Sequence, residues 1–159
     1  MIRETYLTRD GYERMKKELH HMKYIRRQEI AREIGVARAH GDISENAEYD
    51  AAKEAQGLLE KRIHEMEKIL ARVRVIEDEN IPEDKIYIGA IVDLLDVDQN
   101  KEIRYILVSE EEADFAKGMI STTAPVGKAL LGREEGDEVT IKVPAGTLRY
   151  EILKIARLK

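Results

Sequence analysis

The sequence predicts an α+β chain of two domains, an antiparallel hairpin of two long helices followed by a small antiparallel β-sheet domain with a short helix. Three observations carry that expectation. From about Thr8 to Ile76, apolar residues recur at helical spacing. From Ile86 onward, β-branched residues gather in short runs punctuated by Gly89, Gly132, Gly136 and Gly146. Between the two, Glu77 to Asp84 is acidic and contains Pro82, which disfavours helix at Ile81. The expected boundary follows Asp78, with the hairpin over 1–78 and the sheet domain over 79–159.

The first helix is expected to start after Thr8, with Thr8 or Asp10 near its cap. Tyr12, Met15, Leu19 and Met22 share one stripe. Ile30, Ile34 and Ala37 continue that face after a slip in phase, and Arg26 and Glu29 stand where a strict heptad would be apolar. Gly41 breaks the helix. The second helix is expected from Asp42 to Ser44 onward. Its stripe is Ala52, Ala55, Leu59, Met66, Ile69, Val73 and Ile76, with Arg62 filling one gap. Helices joined by a short turn pack antiparallel. Ala47, Ala51, Ala52 and Ala55 would let the backbones approach closely, giving a narrow tip.

In the second half, strands are expected within Ile86 to Val97, Ile103 to Val108, Val139 to Val143 and Leu148 to Ile155, with a short helix within Glu110 to Phe115.

Composition excludes several classes. Charged residues at 37% and aromatics at 5% fit long solvated helices better than a large aromatic core. A net charge of −5 argues against a dedicated duplex-DNA binder. The absence of Cys removes disulfides and thiolate metal sites. The N-terminus has no apolar signal core, and no apolar run approaches the roughly 18 residues that span a membrane. A cytoplasmic, monomeric protein is expected.

The chemistry concentrates at the turn. Asp42 and Glu45 lie between the two helices, so a long stalk ends in negative charge. One reading is delivery, in which the stalk carries these carboxylates to another molecule's active site. The other is capping: Asp42 followed three residues later by Glu45 has the pattern of a capping box, and both acids gain from the helix dipole. Below the tip, Lys23, Arg26, Arg27, Arg32 and Arg38 outnumber Glu29 and Glu33. That shaft either lies beside a nucleic-acid strand or is a solvated face of ordinary ion pairs.

The segment from Ala37 to Glu54, with His40-Gly41-Asp42-Ile43-Ser44-Glu45-Asn46-Ala47-Glu48-Tyr49 at its centre, resembles the tip motif of the GreA family of bacterial transcript cleavage factors. Tyr6-Leu7-Thr8-Arg9-Asp10-Gly11-Tyr12, Ile88-Gly89-Ala90, Ile120-Ser121, Ala124-Pro125, Gly127-Lys128, Leu131-Gly132 and Gly136-Asp137 match the family in order, so the resemblance covers essentially the whole chain.

The resemblance implies a factor that binds bacterial RNA polymerase at its secondary channel and the channel rim. The factor would meet the extruded 3′ end of backtracked RNA and stimulate the polymerase's own endonuclease, without being an enzyme itself. It implies an FKBP-like second domain used for docking. The two tip carboxylates of the family fall on Asp42 and Glu45, which are too few to hold Mg²⁺ alone but enough to complete a site shared with the polymerase active centre. Ser44, Asn46 and Tyr49 would support the tip, though capping and packing explain them as well. Arg26, Arg27, Arg38 and Lys53 are candidates for RNA or channel contact. Ser121 and Pro125 fall in the segment resembling the docking loop, where an ordinary Pro-containing turn is the plain reading. A channel-binding relative that inhibits the polymerase without stimulating cleavage is the second functional expectation; matching acids at 42 and 45 favour the first.

Overall fold

The computed structural model describes residues 3–41 and 46–159. In chain order they form β1 (Thr5–Leu7), α1 (Arg9–His21), α2 (Arg27–Ala39), α3 (Ala47–Leu70), β2 (Val73–Val75), β3 (Ala90–Asp96), β4 (Lys101–Val108), β5 (Met119–Ser121), α4 (Pro125–Leu130), β6 (Glu138–Val143) and β7 (Gly146–Arg157). The chain divides into a helical unit, Tyr12–Arg72, and a sheet unit, Met1–Gly11 with Val73–Lys159.

This division differs from a boundary at 78/79. β1 and β2 pair in parallel, Thr5 opposite Val73 and Leu7 opposite Val75, which draws the N-terminal residues into the sheet unit. Val73 and Ile76 therefore do not extend the helical stripe: Val73 is in β2, and Ile76 opens a 3₁₀ turn and is fully buried. The acidic segment after it is fastened rather than loose. The Arg157 guanidinium donates to the carbonyl oxygens of Ile81 at 2.8 Å, Ile76 at 3.1 Å and Glu79.

The helical unit accounts for the slip in its first stripe. Met22–Arg26 is a π-helical turn joining α1 to α2. Met22 and Ile30 are eight residues apart, which in a continuous α-helix would leave them about 80° out of phase. A wider turn takes up the surplus residue. Met22, Ile30, Ile34 and Ala37 are all buried as a result, while Tyr24 and Ile25 are turned outward. On α3 the gap in the stripe is filled by Ile63, 1% exposed, and not by Arg62, which faces solvent. Met22, Ile63 and Met66 form one core cluster, and Ile30, Ile34 and Ala52 form another nearer the tip.

In the sheet unit five strands run in the order β5-β4-β3-β7-β6. The pairings β3–β4, β3–β7 and β6–β7 are antiparallel, as expected. β5 was not expected, and it pairs in parallel with β4, Ile106 opposite Met119, so the sheet is mixed. The chain returns to the start of that pairing through two 3₁₀ turns, Glu110–Glu112 and Phe115–Lys117. These replace the short helix expected there; the α-helix of this unit is α4, opened by Pro125 at a position where a missing N–H costs nothing. β3 alternates buried and half-buried residues, and its inward face, with Val92 and Leu94, packs with Leu107, Leu130 and Ile152 into the core.

Candidate functional site at the hairpin tip

Asp42, Ser44 and Glu45 lie outside the described residues; the structure defines the two helix ends that flank them. α2 ends at Ala39, and Gly41 takes φ +112°, a conformation that suits glycine. On the other side, α3 does not begin at 42–44. It begins at Ala47, and its N-cap is Asn46, with extended backbone at φ −87° and ψ 101°. The Asn46 side-chain oxygen accepts from the N–H groups of Glu48 at 3.0 Å and Tyr49 at 3.2 Å. Its Nδ2 donates to the carbonyl oxygen of Ala37, tying the two arms together. The cap of α3 is therefore Asn46, where Asp42 was expected; what Asp42 and Glu45 themselves contact lies outside the described residues.

Tyr49 is half-buried and packs against Ile30, Ile34 and Ala52. The Arg38 guanidinium stands 5.9 Å from the centre of its ring. His40 Nδ1 and Glu48 Oε2 are 2.8 Å apart across the hairpin on an exposed edge. Lys53 is exposed and donates to Gln56 Oε1 at 3.0 Å.

The basic shaft is only partly basic in effect. Arg27 makes a two-pronged pair with Glu60, at 2.7 and 2.8 Å. That hydrogen bond draws the Glu60 carboxyl below its ordinary range and raises the Arg27 guanidinium further. Arg26 donates to Glu29 at 2.8 Å and to Glu33 at 3.5 Å, and the Glu29 bond is the main cause of its raised pKa. Among the described residues, Arg32 and Arg38 have no carboxylate partner. Of the five shaft cations, these two are the ones nearest the tip and the ones without a carboxylate partner among the described residues.

The proposed docking segment of the sheet unit is a tight turn. Ser121 is buried; its Oγ lies 2.7 Å from Thr123 Oγ1 and accepts from the Thr123 N–H at 3.1 Å. A β-carbon on Gly127 would fall 2.0 Å from the Ser121 carbonyl oxygen. Pro125 is exposed. Of the two docking candidates, Pro125 presents its side chain outward and Ser121 spends its hydroxyl inside the turn.

Sequence reasoning missed Asn46 as the cap and Ile63 as a core residue. An Asn directly before a helical run of alanines was the available signal for the first. It also missed Phe115, the one phenylalanine, which is 77% exposed. Among the described residues no three His, Cys, Asp or Glu side chains form a metal-ligand group, and no helix is long and apolar enough to cross a membrane.

A helical hairpin followed by a mixed-sheet unit corresponds to a two-part class of transcription elongation factors, and each part has its own match. The profile described as "Transcription elongation factor, N-terminal" covers residues 5–75, and "Transcription elongation factor, GreA/GreB, C-term" covers residues 81–157. The chain belongs to the GreA/GreB transcription elongation factor family. It is 49% identical to transcription elongation factor GreA of Chlorobium phaeovibrioides over 98% of each chain. It is 47% identical to the GreA of Chloroherpeton thalassium, again over 98% of each. Among solved structures, it is 30% identical to a structure of the transcription factor Gfh1, with a TM-score of 0.46 over 98% of this chain and 99% of the other. A GreA/GreB factor from Nitrosomonas europaea is also 30% identical, with a TM-score of 0.43 over 65% of this chain and 92% of that one.

Proposed function

We propose that this transcription elongation factor stimulates the endonuclease of bacterial RNA polymerase on backtracked RNA, by carrying Asp42 and Glu45 into the polymerase's secondary channel. The observation that supports this most is the cap of α3. Asn46 supplies the start of α3 with its acceptor, so α3 does not depend on either acid for its cap. The GreA names of the relatives at about half identity favour cleavage stimulation over the inhibitory reading.

The donor chemistry fits a shared metal. Two carboxylates are hard oxygen ligands suited to Mg²⁺ but too few to hold it alone. When bound, Mg²⁺ supplies Lewis acidity to phosphodiester hydrolysis, with the remaining ligands coming from polymerase and RNA. Asp42 and Glu45 would complete that site and help to orient the attacking water. Asn46, Ser44 and Tyr49 hold the tip, Arg38 and Lys53 face the RNA 3′ end, and Pro125 with its turn rests on the channel rim. The nuclease belongs to the polymerase; this monomeric factor supplies the missing ligands.

The test is incubation of halted, backtracked elongation complexes with the protein and Mg²⁺. Short 3′ RNA fragments are released by the wild type, and neither Asp42→Asn nor Glu45→Gln releases them while both still bind polymerase. Full release by both variants would end the metal-delivery reading.

A further inference from the structure

Phe115 keeps an aromatic ring in water, 77% exposed, on the connection between β4 and β5. A single exposed apolar side chain needs no explanation by itself; what sets this one apart is its support. It opens the 3₁₀ turn Phe115–Lys117, which is braced on both sides. The Asp114 N–H donates to the Met119 carbonyl oxygen at 2.8 Å, and the Met119 N–H donates back to that of Asp114 at 3.0 Å. The Gly118 N–H donates to the Phe115 carbonyl oxygen at 3.0 Å, and the Gly118 carbonyl accepts the Ile106 N–H of β4 at 2.9 Å. Gly118 takes φ +72°, and a β-carbon there would lie 3.0 Å from the Arg104 carbonyl oxygen, so glycine lets the turn close against the strand. The Phe115 ring stands 6.3 Å from that of Tyr105, tilted by 42°, and Tyr105 is part of the sheet core. The ring is thus presented from a fixed backbone and leans on the core while most of it faces solvent.

Its surroundings have a chemical character. Ala113 and Ala116 on the same connection are exposed, which widens the apolar patch. The charge of the connection is acidic. Glu110 and Glu111 are exposed and have no cation partner among the described residues, whereas Lys117 stands 4.0 Å from Asp114. The position is also telling. β5 is an edge strand of the sheet, three residues and so about 10 Å long. The Phe115 turn leads into one end of it, and the Ser121–Pro125 turn leaves from the other.

We propose that Phe115 is an apolar anchor with which the sheet unit docks on RNA polymerase, entering a socket on the polymerase that is bordered by Lys or Arg. Buried aromatic anchors carry a large share of interface energy, and a ring already held by its turn loses little freedom on binding. Glu110 and Glu111 select the basic border. They also argue against a second copy of this chain as the occupant, since a two-fold contact through this patch sets the same acids against each other. This inference rests on the polymerase-binding reading given above and adds a second contact beside Pro125.

The test measures full-length protein against backtracked elongation complexes, with three readouts: polymerase affinity, cleavage rate at saturating factor, and thermal unfolding. Phe115→Ala should weaken affinity by about tenfold to thirtyfold, the scale of losing an aromatic anchor. It should leave the saturated cleavage rate and the unfolding temperature at wild-type values, because the ring is exposed in the free protein. Phe115→Leu keeps apolar volume and should recover most of the affinity. The double variant Glu110→Lys, Glu111→Lys should weaken binding at low salt, and the difference should fade as salt rises. Wild-type affinity in Phe115→Ala would overturn the proposal, and so would wild-type affinity with a lowered saturated rate. Sedimentation of the wild type as a dimer that Phe115→Ala dissolves would overturn it by making a second copy the occupant. A wild type that binds polymerase without releasing RNA fragments would count against the cleavage reading, and the affinity of Phe115→Ala would still decide the anchor.

Discussion

Asn46 holds Ala37 across the mouth of the hairpin while capping the helix it begins. Its Nδ2 donates to the Ala37 carbonyl oxygen, and its Oδ1 accepts the N–H groups of Glu48 and Tyr49. Helix ends leave such groups without partners, and here one side chain serves the end of α2 and the start of α3 together. Asn46→Ala should therefore cost about 2 kcal/mol, roughly 1 for the cap and about 1 for the cross-arm bond. Asn46→Asp keeps the acceptor, loses the donor and should fall between. Urea unfolding followed by helical circular dichroism measures both; an unchanged midpoint in Asn46→Ala would refute the dual role.

The same cap separates function from stability at the tip. If Asp42 and Glu45 were capping residues, neutralising either would cost about 1 kcal/mol. With Asn46 in that place, Asp42→Asn and Glu45→Gln should each leave stability within about 0.5 kcal/mol, as ordinary surface substitutions do. Thermal unfolding of the two variants beside the wild type decides this independently of any polymerase assay.

The shaft arginines should not be equivalent. Arg27 is engaged by Glu60 and Arg26 by Glu29 and Glu33, whereas Arg38 lies on the Tyr49 ring. Alanine at Arg32 or Arg38 should reduce cleavage more than alanine at Arg27. The difference should shrink as salt rises, since charges facing a phosphate backbone are screened. Cleavage rates of the single variants across a salt series test this; equal losses at every salt would show that net charge along the shaft matters and pairing does not.

Periodicity exposed the hairpin because an exposed two-helix unit must keep one apolar stripe, and Leu19, Met22, Leu59 and Met66 keep it. The phase slip at Met22 was visible, but its cause was not. A π turn is a backbone solution to one surplus residue and carries no residue signature of its own. Val73 and Ile76 were read as helix because two residues at helical spacing look the same whether they end a helix or enter a strand. Only pairing with Thr5 to Leu7, nearly 70 residues away in sequence, makes Val73 to Val75 a strand. β5 escaped for a related reason: three residues, Met119 to Ser121, are too few to show alternation. At the tip, the acids and the turn were legible from residue type. The cap was misassigned because Asp42 and Asn46 are both good caps, and local sequence does not say which one meets the Ala37 carbonyl.

Tyr150 gives the sheet unit a pH signature on the alkaline side. It is 4% exposed on β7, opposite Asp96 of β3. Burial, reinforced by Tyr105 and by the negative charge of Asp96, pushes its phenol from 10.0 up to about 12. Each of these causes disfavours the phenolate, so the folded state holds the proton more tightly than the unfolded chain does. The resulting stability is complete below pH 10, where the phenol is protonated in both states, and drains away as pH rises from 10 toward 12. Tyr150→Phe removes the ionisable group and should flatten stability over that range. Ultraviolet titration should show one late-ionising phenol in the wild type that is missing from Tyr150→Phe. If the late phenol persists in that variant, the buried hydroxyl belongs to another tyrosine and the alkaline limit of the fold lies elsewhere.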